Sequence, residues 1–139
     1  MHDTHQGPVA GIAVLVRHSD SLLLCRKHDR QTWELPAGKI NWDEDYLGAA
    51  AREVKEETGV DVRPISIINV VSNMYNGWSS LVVVVQAAVD VMQEPVGADD
   101  VEEAKWFGLQ EVPKMTGEAD QHLLDYLATG RPGGISLVD

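Results

Sequence analysis

Glu53, Glu56 and Glu57 stand at i, i+3 and i+4, with Arg52 beside them and Glu44 eight residues upstream of that arginine. At 100° per residue the three carboxylates share an arc of about 100°, and Leu47, Ala50, Ala51, Val54 and Thr58 fill an adjacent arc of similar width. One face of such a helix anchors it and its neighbour is acidic. Like charges at this spacing cost a few tenths of a kcal/mol per pair, and they lie toward the C-terminal end, where the helix dipole also disfavours anions. Local stability does not select the arrangement. Hard divalent cations such as Mg²⁺ or Mn²⁺ take carboxylate oxygens together with phosphate oxygens, so the cluster makes sense around a metal.

A bare acidic helix face is ordinarily just solvated. Here it sits in GKINWDEDYLGAAAREVKEETGV (Gly38 to Val60), which fits G-x5-E-x7-R-E-x-x-E-E-x-G followed by an apolar residue. Seven positions are met in order, a coincidence on the order of one in 10⁸ windows at ordinary residue usage. For Arg52 two roles are open: holding the carboxylates in place, with Glu44 as a partner, or touching phosphate. Gly38 is either a turn glycine or a point where backbone without a Cβ approaches a metal or phosphate closely. Candidates for an aromatic stacking platform at a binding site are Trp42, Tyr75 and Trp78, with the amides of Asn73 and Asn76 alongside. Trp33 and Trp106, flanked by apolar residues, read as core or wall. The five histidines lack metal-site spacing, and there is no Ser-His-Asp or Cys-His arrangement and no phosphate-cradling G-x-x-x-x-G-K, so water is the expected nucleophile.

The elements that must position these groups are legible in outline. Residues 9–16 and 21–25 are short apolar runs parted by His18-Ser19-Asp20, a hairpin pattern. Residues 62–72 and 79–90 form a second pair around Asn76-Gly77, a strong turn signal. Between the pairs a helix is expected over about Tyr46 to Thr58, with Asp43 or Asp45 as N-cap and Gly59 as the stop. A second amphipathic helix is expected over Ala119 to Thr129, and the tail RPGGISLVD reads as loose. No repeat, low-complexity tract or linker interrupts residues 8–129.

At 139 residues the chain suits one domain. Its 11 Lys and Arg against 22 Asp and Glu give a net charge of −11, which opposes non-specific binding to nucleic acid or an anionic membrane. A long polyanion gains affinity from Lys and Arg contacts, so an RNA-processing role is disfavoured, the local group Arg26, Lys27, His28 and Arg30 being the one feature in its favour. The lone Cys25, in an apolar run, reads as a buried inert thiol and excludes an intrachain disulfide. With no leader-like N-terminus and no span-length apolar run, a reducing cytoplasm is the expected location.

The segment resembles the Nudix box, the signature of the Nudix hydrolase family, with every fixed position matched. The opening strand pair, Trp33-Glu34-Leu35-Pro36 and the later Glu102, Glu103, Trp106, Phe107 also look like that family. The resemblance implies an α/β fold, an α/β/α sandwich around a mixed sheet, with the box forming loop, helix and loop. It further implies water substitution at a phosphorus of a nucleoside diphosphate linked to some group X, with Mg²⁺ or Mn²⁺ as cofactor, a small nucleotide as partner and a homodimer as the default assembly. By resemblance Glu53, Glu56 and Glu57 bind metal, with Gly38 nearby, and Glu53 has general base as its other role. A further carboxylate from outside the helix often completes such a site; Glu103 is the first choice over Glu102 and Asp100. Ala37 departs from the family, where many members carry a second glycine. Substrate class stays open: no Ser-Gln-Pro-Trp-Pro-type array of NADH-cleaving members follows the box, Tyr75 stands near where ADP-ribose-cleaving members tend to have proline, and it leans toward the dinucleoside-polyphosphate group. A nucleoside triphosphate pyrophosphatase also suits the compact chain. Against all of these stands a non-catalytic nucleotide-sensing or scaffold module with the same fold.

Overall fold

A computed structural model of the chain describes residues 9–75, 77–113, 115 and 134–137. The opening hairpin is β1 (Val9–His18) and β2 (Ser21–Lys27), turned through Ser19 at φ 53°. A short strand β3 (Ala37–Lys39) follows, then α1 (Tyr46–Thr58), the long pair β4 (Arg63–Tyr75) and β5 (Trp78–Ala88), β6 (Val101–Gly108) and β7 (Gly134–Leu137). Both hairpins and the helix stand where periodicity and turn residues put them. The sheet order is β6-β2-β1-β5-β4-β7, with β3 attached to β1. It is mixed, because β1 runs parallel to β5 and β4 parallel to β7 while the other pairs are antiparallel.

One difference from expectation concerns the C-terminal tail. Gly134–Leu137, within the tail read as loose, pairs in parallel with β4 from Asn69 to Ser72. The helix expected over Ala119 to Thr129 lies outside the described residues, so one helical layer of the sandwich is described. It packs by Ala49, Ala50 and Val54 against Ile12, Val14, Val16, Val83 and Val85 on one face of the sheet. Alternation along the strands sends Leu15, Leu22, Leu24 and Val84 to the other face, against Leu35, Trp33 and Phe107. Burying a side chain such as Val54 contributes roughly 1.5–3 kcal/mol, and the alanines beside it let the helix lie close.

The buried arc of α1 is rotated from the one the apolar pattern implies: Leu47 is exposed, whereas Ala49 and the acidic Glu57 are buried. The helix ends are satisfied locally. Asp45 Oδ1 accepts from Gly48 N at 2.7 Å, and Gly59 takes the left-handed conformation, φ 75°, with its N–H on Lys55 O at 2.9 Å. The carbonyls of Glu57 and Thr58 accept from Ala98 N (3.0 Å) and Val96 N (2.9 Å), so the segment before β6 closes the helix end. Asp45→Ala is expected to lower stability by about 1 kcal/mol in urea denaturation, with Asp45→Asn retaining most of it; equal losses in both would show that the side-chain cap contributes nothing.

Candidate active site

Arg52 is the hub of the acidic cluster. Its Nε and Nη2 donate to Glu44 at 3.0 and 2.6 Å, Nη1 donates to Glu53 at 3.0 Å and Glu56 at 2.6 Å, and Nη2 also reaches Lys39 O at 3.1 Å. Glu44 is in turn fixed by the N–H of Asn41 at 2.8 Å. Hydrogen bonding to Arg52, then to Asn41, holds the Glu44 carboxyl below its usual range. Glu44 raises Arg52 most, with Glu56 and Glu53 adding to it against the opposing effect of burial. Of the two roles open to Arg52, the structure shows the first, with the predicted partner.

Glu57 is held differently. Only 5% exposed, it accepts the Ala37 N–H at 2.9 Å. Burial pushes its pKa up to about 8; the Ala37 hydrogen bond and the Lys27 charge oppose this, and the Glu53 and Asp100 charges add to it. Glu53 is also raised, again by burial first, with Arg52 pulling the other way. A Cβ at Gly38 would meet the carboxylate end of the Glu53 side chain and push it aside, so glycine there leaves that carboxylate where it stands. Ala37 needs no such freedom: its φ is not positive, and its contribution is the backbone N–H.

Four carboxylates (Glu44, Glu53, Glu56, Glu57) against one guanidinium leave excess negative charge, part of it buried. A hard divalent cation fits that donor set and would let Glu57 ionise. Among the described residues no three His, Cys, Asp or Glu side chains converge as a ready-made cage. In this state Arg52 draws Glu53 and Glu56 to itself, and Glu57 is turned to Ala37.

Outside the helix the acids divide their partners. Glu103, the first choice for an added ligand, is 49% exposed and faces Arg26 on β2 at 3.6 Å, while Glu102 pairs with His28. Asp100 is the one of the three whose charge bears on Glu57, and it shares Lys27 with Glu34, both at 3.6 Å. Cys25 is buried and free, its thiol pushed far up by burial and then by the charges of Glu57, Glu34 and Asp100, as an inert thiol should be.

A cleft of about 180 Å³ opens on the face of the sheet away from α1. Its floor is Gly11, Ser80 and Val82, residues 37–39 form one wall and Lys27 another. Trp78, two residues before Ser80 on β5, lies on that same face and is partly exposed. Tyr75 pairs opposite Trp78 in the ladder; its backbone alone is described. Trp42 stands apart, 96% exposed in the box loop and not in the cleft wall. Sequence reasoning missed Lys27, Ser80 and the Ala37 N–H. Lys27 was visible only as part of a basic group, and a backbone donor leaves no mark in residue type.

The folded pKa of Glu57, near 8, lies above the ordinary value of 4.5. The folded state therefore binds the proton more tightly, and its stabilising contribution is full below about pH 4.5 and is lost as pH rises to about 8. In EDTA the wild-type protein is expected to lose stability relative to Glu57→Gln across that window, with a slope approaching about 1.4 kcal/mol per pH unit. Parallel stability profiles from chemical denaturation of the two proteins would sink this account of Glu57.

The chain matches the NUDIX domain over residues 5–127. It is 42% identical over 78 residues to a MutT-like protein of Streptomyces ambofaciens, covering 56% of this chain and 49% of that protein, so it spans about half the length of that relative. It is 29% identical over 122 residues to the ADP-ribose pyrophosphatase of Methanocaldococcus jannaschii, covering 86% of this chain and 72% of that one. In fold it resembles a crystal structure of a NUDIX hydrolase from Nitrosomonas europaea, with a TM-score of 0.81 at 22% identity over 96% of this chain and 81% of that one. With the domain matched over most of its length and each fixed position of the box built as loop, helix and loop, the chain belongs to the NUDIX family.

Proposed function

We propose that the protein is a metal-dependent hydrolase that cleaves the diphosphate linkage of a nucleoside diphosphate linked to X, by attack of water at phosphorus. X would be the remainder of a nucleoside triphosphate, a dinucleoside polyphosphate or a nucleotide sugar. The observation that carries this reading is the buried Glu57 beside Glu53 and Glu56, an acid set that local stability does not explain and a divalent cation would. The Methanocaldococcus relative, named a pyrophosphatase, supports the same linkage. All four glutamates and Arg52 are present, which disfavours a sensing or scaffold module that has lost turnover.

In this reading Glu53, Glu56 and Glu57 hold Mg²⁺ or Mn²⁺ near the backbone at Gly38, with Asp100 or Glu103 as the acid outside the helix. Bound there, the metal neutralises phosphate charge and lowers the pKa of water. The chain's own part is to hold and orient. Arg52 sets the carboxylates of Glu53 and Glu56 relative to Lys39 and the box loop, and Ala37 fixes one oxygen of Glu57. Glu53, whose pKa is raised and whose oxygens are not tied to backbone, is our candidate for accepting the proton of the attacking water. A small nucleotide partner, a cytoplasmic location and a homodimer complete the proposal; among the described residues no helix is long and apolar enough to cross a membrane.

The test is phosphate-product analysis across nucleoside triphosphates, nucleotide sugars, ADP-ribose and dinucleoside polyphosphates, with Mg²⁺ and then EDTA. EDTA-sensitive cleavage of one class is expected; no cleavage of any by folded, Mg²⁺-supplied protein would reject the hydrolase. Glu56→Gln and Glu57→Gln should each lower kcat by about 10²-fold or more while remaining folded, an effect of the size that catalytic proton-transfer and metal groups supply. Full activity in both would remove the site. Gly38→Ala should also abolish turnover, because its Cβ displaces the Glu53 carboxylate; wild-type kcat in that variant would show that Glu53 does not work where it stands.

A further inference from the structure

The end of α1 that carries Glu57 is covered by residues 89–98, which run from β5 toward β6 without regular secondary structure. Hydrophobic burial does not hold this segment in place: between Asp90 and Asp100 only Pro95 is buried, while Val91 and Val96 are 73% and 69% exposed. Discrete hydrogen bonds hold it. At its start Val89 N donates to Arg17 O at 3.2 Å, and His18 Nδ1 donates to Val89 O at 2.8 Å. In the middle the Gln93 side chain pairs with both backbone groups of Asp61, accepting from its N–H at 2.8 Å and donating to its carbonyl at 2.9 Å. The Gln93 carbonyl accepts from Trp106 Nε1 at 2.9 Å. At the far end the N–H groups of Val96 and Ala98 donate to the carbonyls of Thr58 and Glu57. The segment is a strap, fastened to the sheet at one end and to the last turn of the helix at the other.

Gly97 lies between those last two donors. A Cβ there would stand 2.7 Å from Val101 O and 2.9 Å from the carbonyl carbon and oxygen of Glu102, backbone atoms of β6 that cannot swing aside. The adjoining turn leaves no slack, since Val101 N donates to Ala98 O at 3.0 Å and Asp99 takes the left-handed conformation, φ 56°. Glycine is what lets the strap cross β6 closely enough for both N–H groups to reach the helix. Glu57 is in consequence held at both ends by backbone donors, its carbonyl by Ala98 and its carboxylate by Ala37. Carbonyls of a last turn have no partner inside the helix, so a helix released from the strap frays there first and takes Glu57 with it.

We propose that Gly97 is a positioning residue for Glu57: by admitting the strap against β6 it fixes the last turn of α1, and with it the place of the Glu57 carboxylate among the metal-binding acids. The inference rests on the metal-dependent reading and deepens it. The metal site then depends on a segment outside the box that supplies backbone N–H groups and no ligand.

The test compares wild type, Gly97→Ala, Gln93→Ala and Asp45→Ala, the last being weakened at the opposite end of the same helix. On each, NMR in EDTA gives the hydrogen exchange of the Ala37 amide relative to that of Val85 in the core, and the EPR signal of the free ion gives Mn²⁺ affinity. In Gly97→Ala the relative exchange of Ala37 should rise about 10-fold, and Mn²⁺ should bind about 10-fold or more weakly, the size of effect that follows loss of groups orienting metal ligands. Gln93→Ala, which unfastens the strap without a clash, should move both in the same direction by about 3-fold. Asp45→Ala should leave both as in wild type despite its lower stability. Gly97→Ala with both quantities unchanged overturns the proposal, as does an equal loss of Mn²⁺ affinity in Gly97→Ala and Asp45→Ala, which would make the effect one of helix stability alone. Should Gly97→Ala fail to fold, Gln93→Ala decides by the same two measurements. The two readings fail separately: a strap-dependent Ala37 amide in a wild type that binds no Mn²⁺ supports the strap and retires the metal-dependent hydrolase, whereas Mn²⁺ binding and turnover unmoved by either strap variant retire the strap.

Discussion

The guanidinium of Arg52 is the constraint on which the site depends. One planar fork is shared among Glu44 from the box loop, Glu53 and Glu56 from the helix, and the Lys39 carbonyl from β3. The strand, the loop and the helix that follow one another in this stretch are thereby fixed relative to one another by a single side chain. A lysine could place a charge at the same point but not satisfy acceptors on three sides in fixed directions. The arrangement also accounts for the unfavourable spacing of the glutamates. Their repulsion is absorbed by a cation inside the cluster while enough negative charge remains to attract a second one.

Glu57 is the acid that Arg52 leaves out. The helix buries it, where a lone carboxylate is expensive, while Arg52 donates to Glu44, Glu53 and Glu56. Among the described residues its direct partner is a backbone N–H, and of the charges around it Glu53 and Asp100 raise its pKa while Lys27 opposes them. So placed, the group is held best as the neutral acid, and a divalent cation bound beside it would favour the carboxylate instead.

Much of this was legible in the residues. Helix α1 with both its ends followed from apolar spacing, Asp45 and Gly59, and the two hairpins followed from alternation around Ser19-Asp20 and Asn76-Gly77. The Arg52–Glu44 pairing followed from charge and position. What was not legible depends on neighbours distant in the chain. Periodicity gives the angle of a side chain on a helix but not which arc meets the sheet, so the pattern puts Leu47 on the anchoring face while the structure buries Glu57 and exposes Leu47. Strand β3 is three residues long, too short for alternation to register, and in β6 two exposed glutamates follow the buried Val101 and break the alternation that marks a strand. The tail strand β7 exists only by pairing with β4, and Trp42, chosen as a base platform for standing among polar residues, stands in solvent for the same reason.

The location of the site follows from how the first hairpin comes apart. Strands β1 and β2 pair only at Arg17–Leu22 and His18–Ser21, beside the turn. Beyond that, β2 is taken up by β6 along its length, and the two strands diverge. The segment from Glu34 to Ile40 enters the fork, pairing first with Cys25 and then, through Pro36, β3 and Ile40, with β1. It bridges the opening without closing it, so the N–H of Ala37 faces away from β1 as an unpaired strand-edge donor in a buried place. Such a donor must find an acceptor. A helix laid across the fork supplies one from its last turn, and that acceptor is Glu57. The same opening leaves Lys27, at the end of β2, facing β3 across the cleft. The buried acid, the lysine and the cleft that the lysine lines are thus consequences of one split in the sheet.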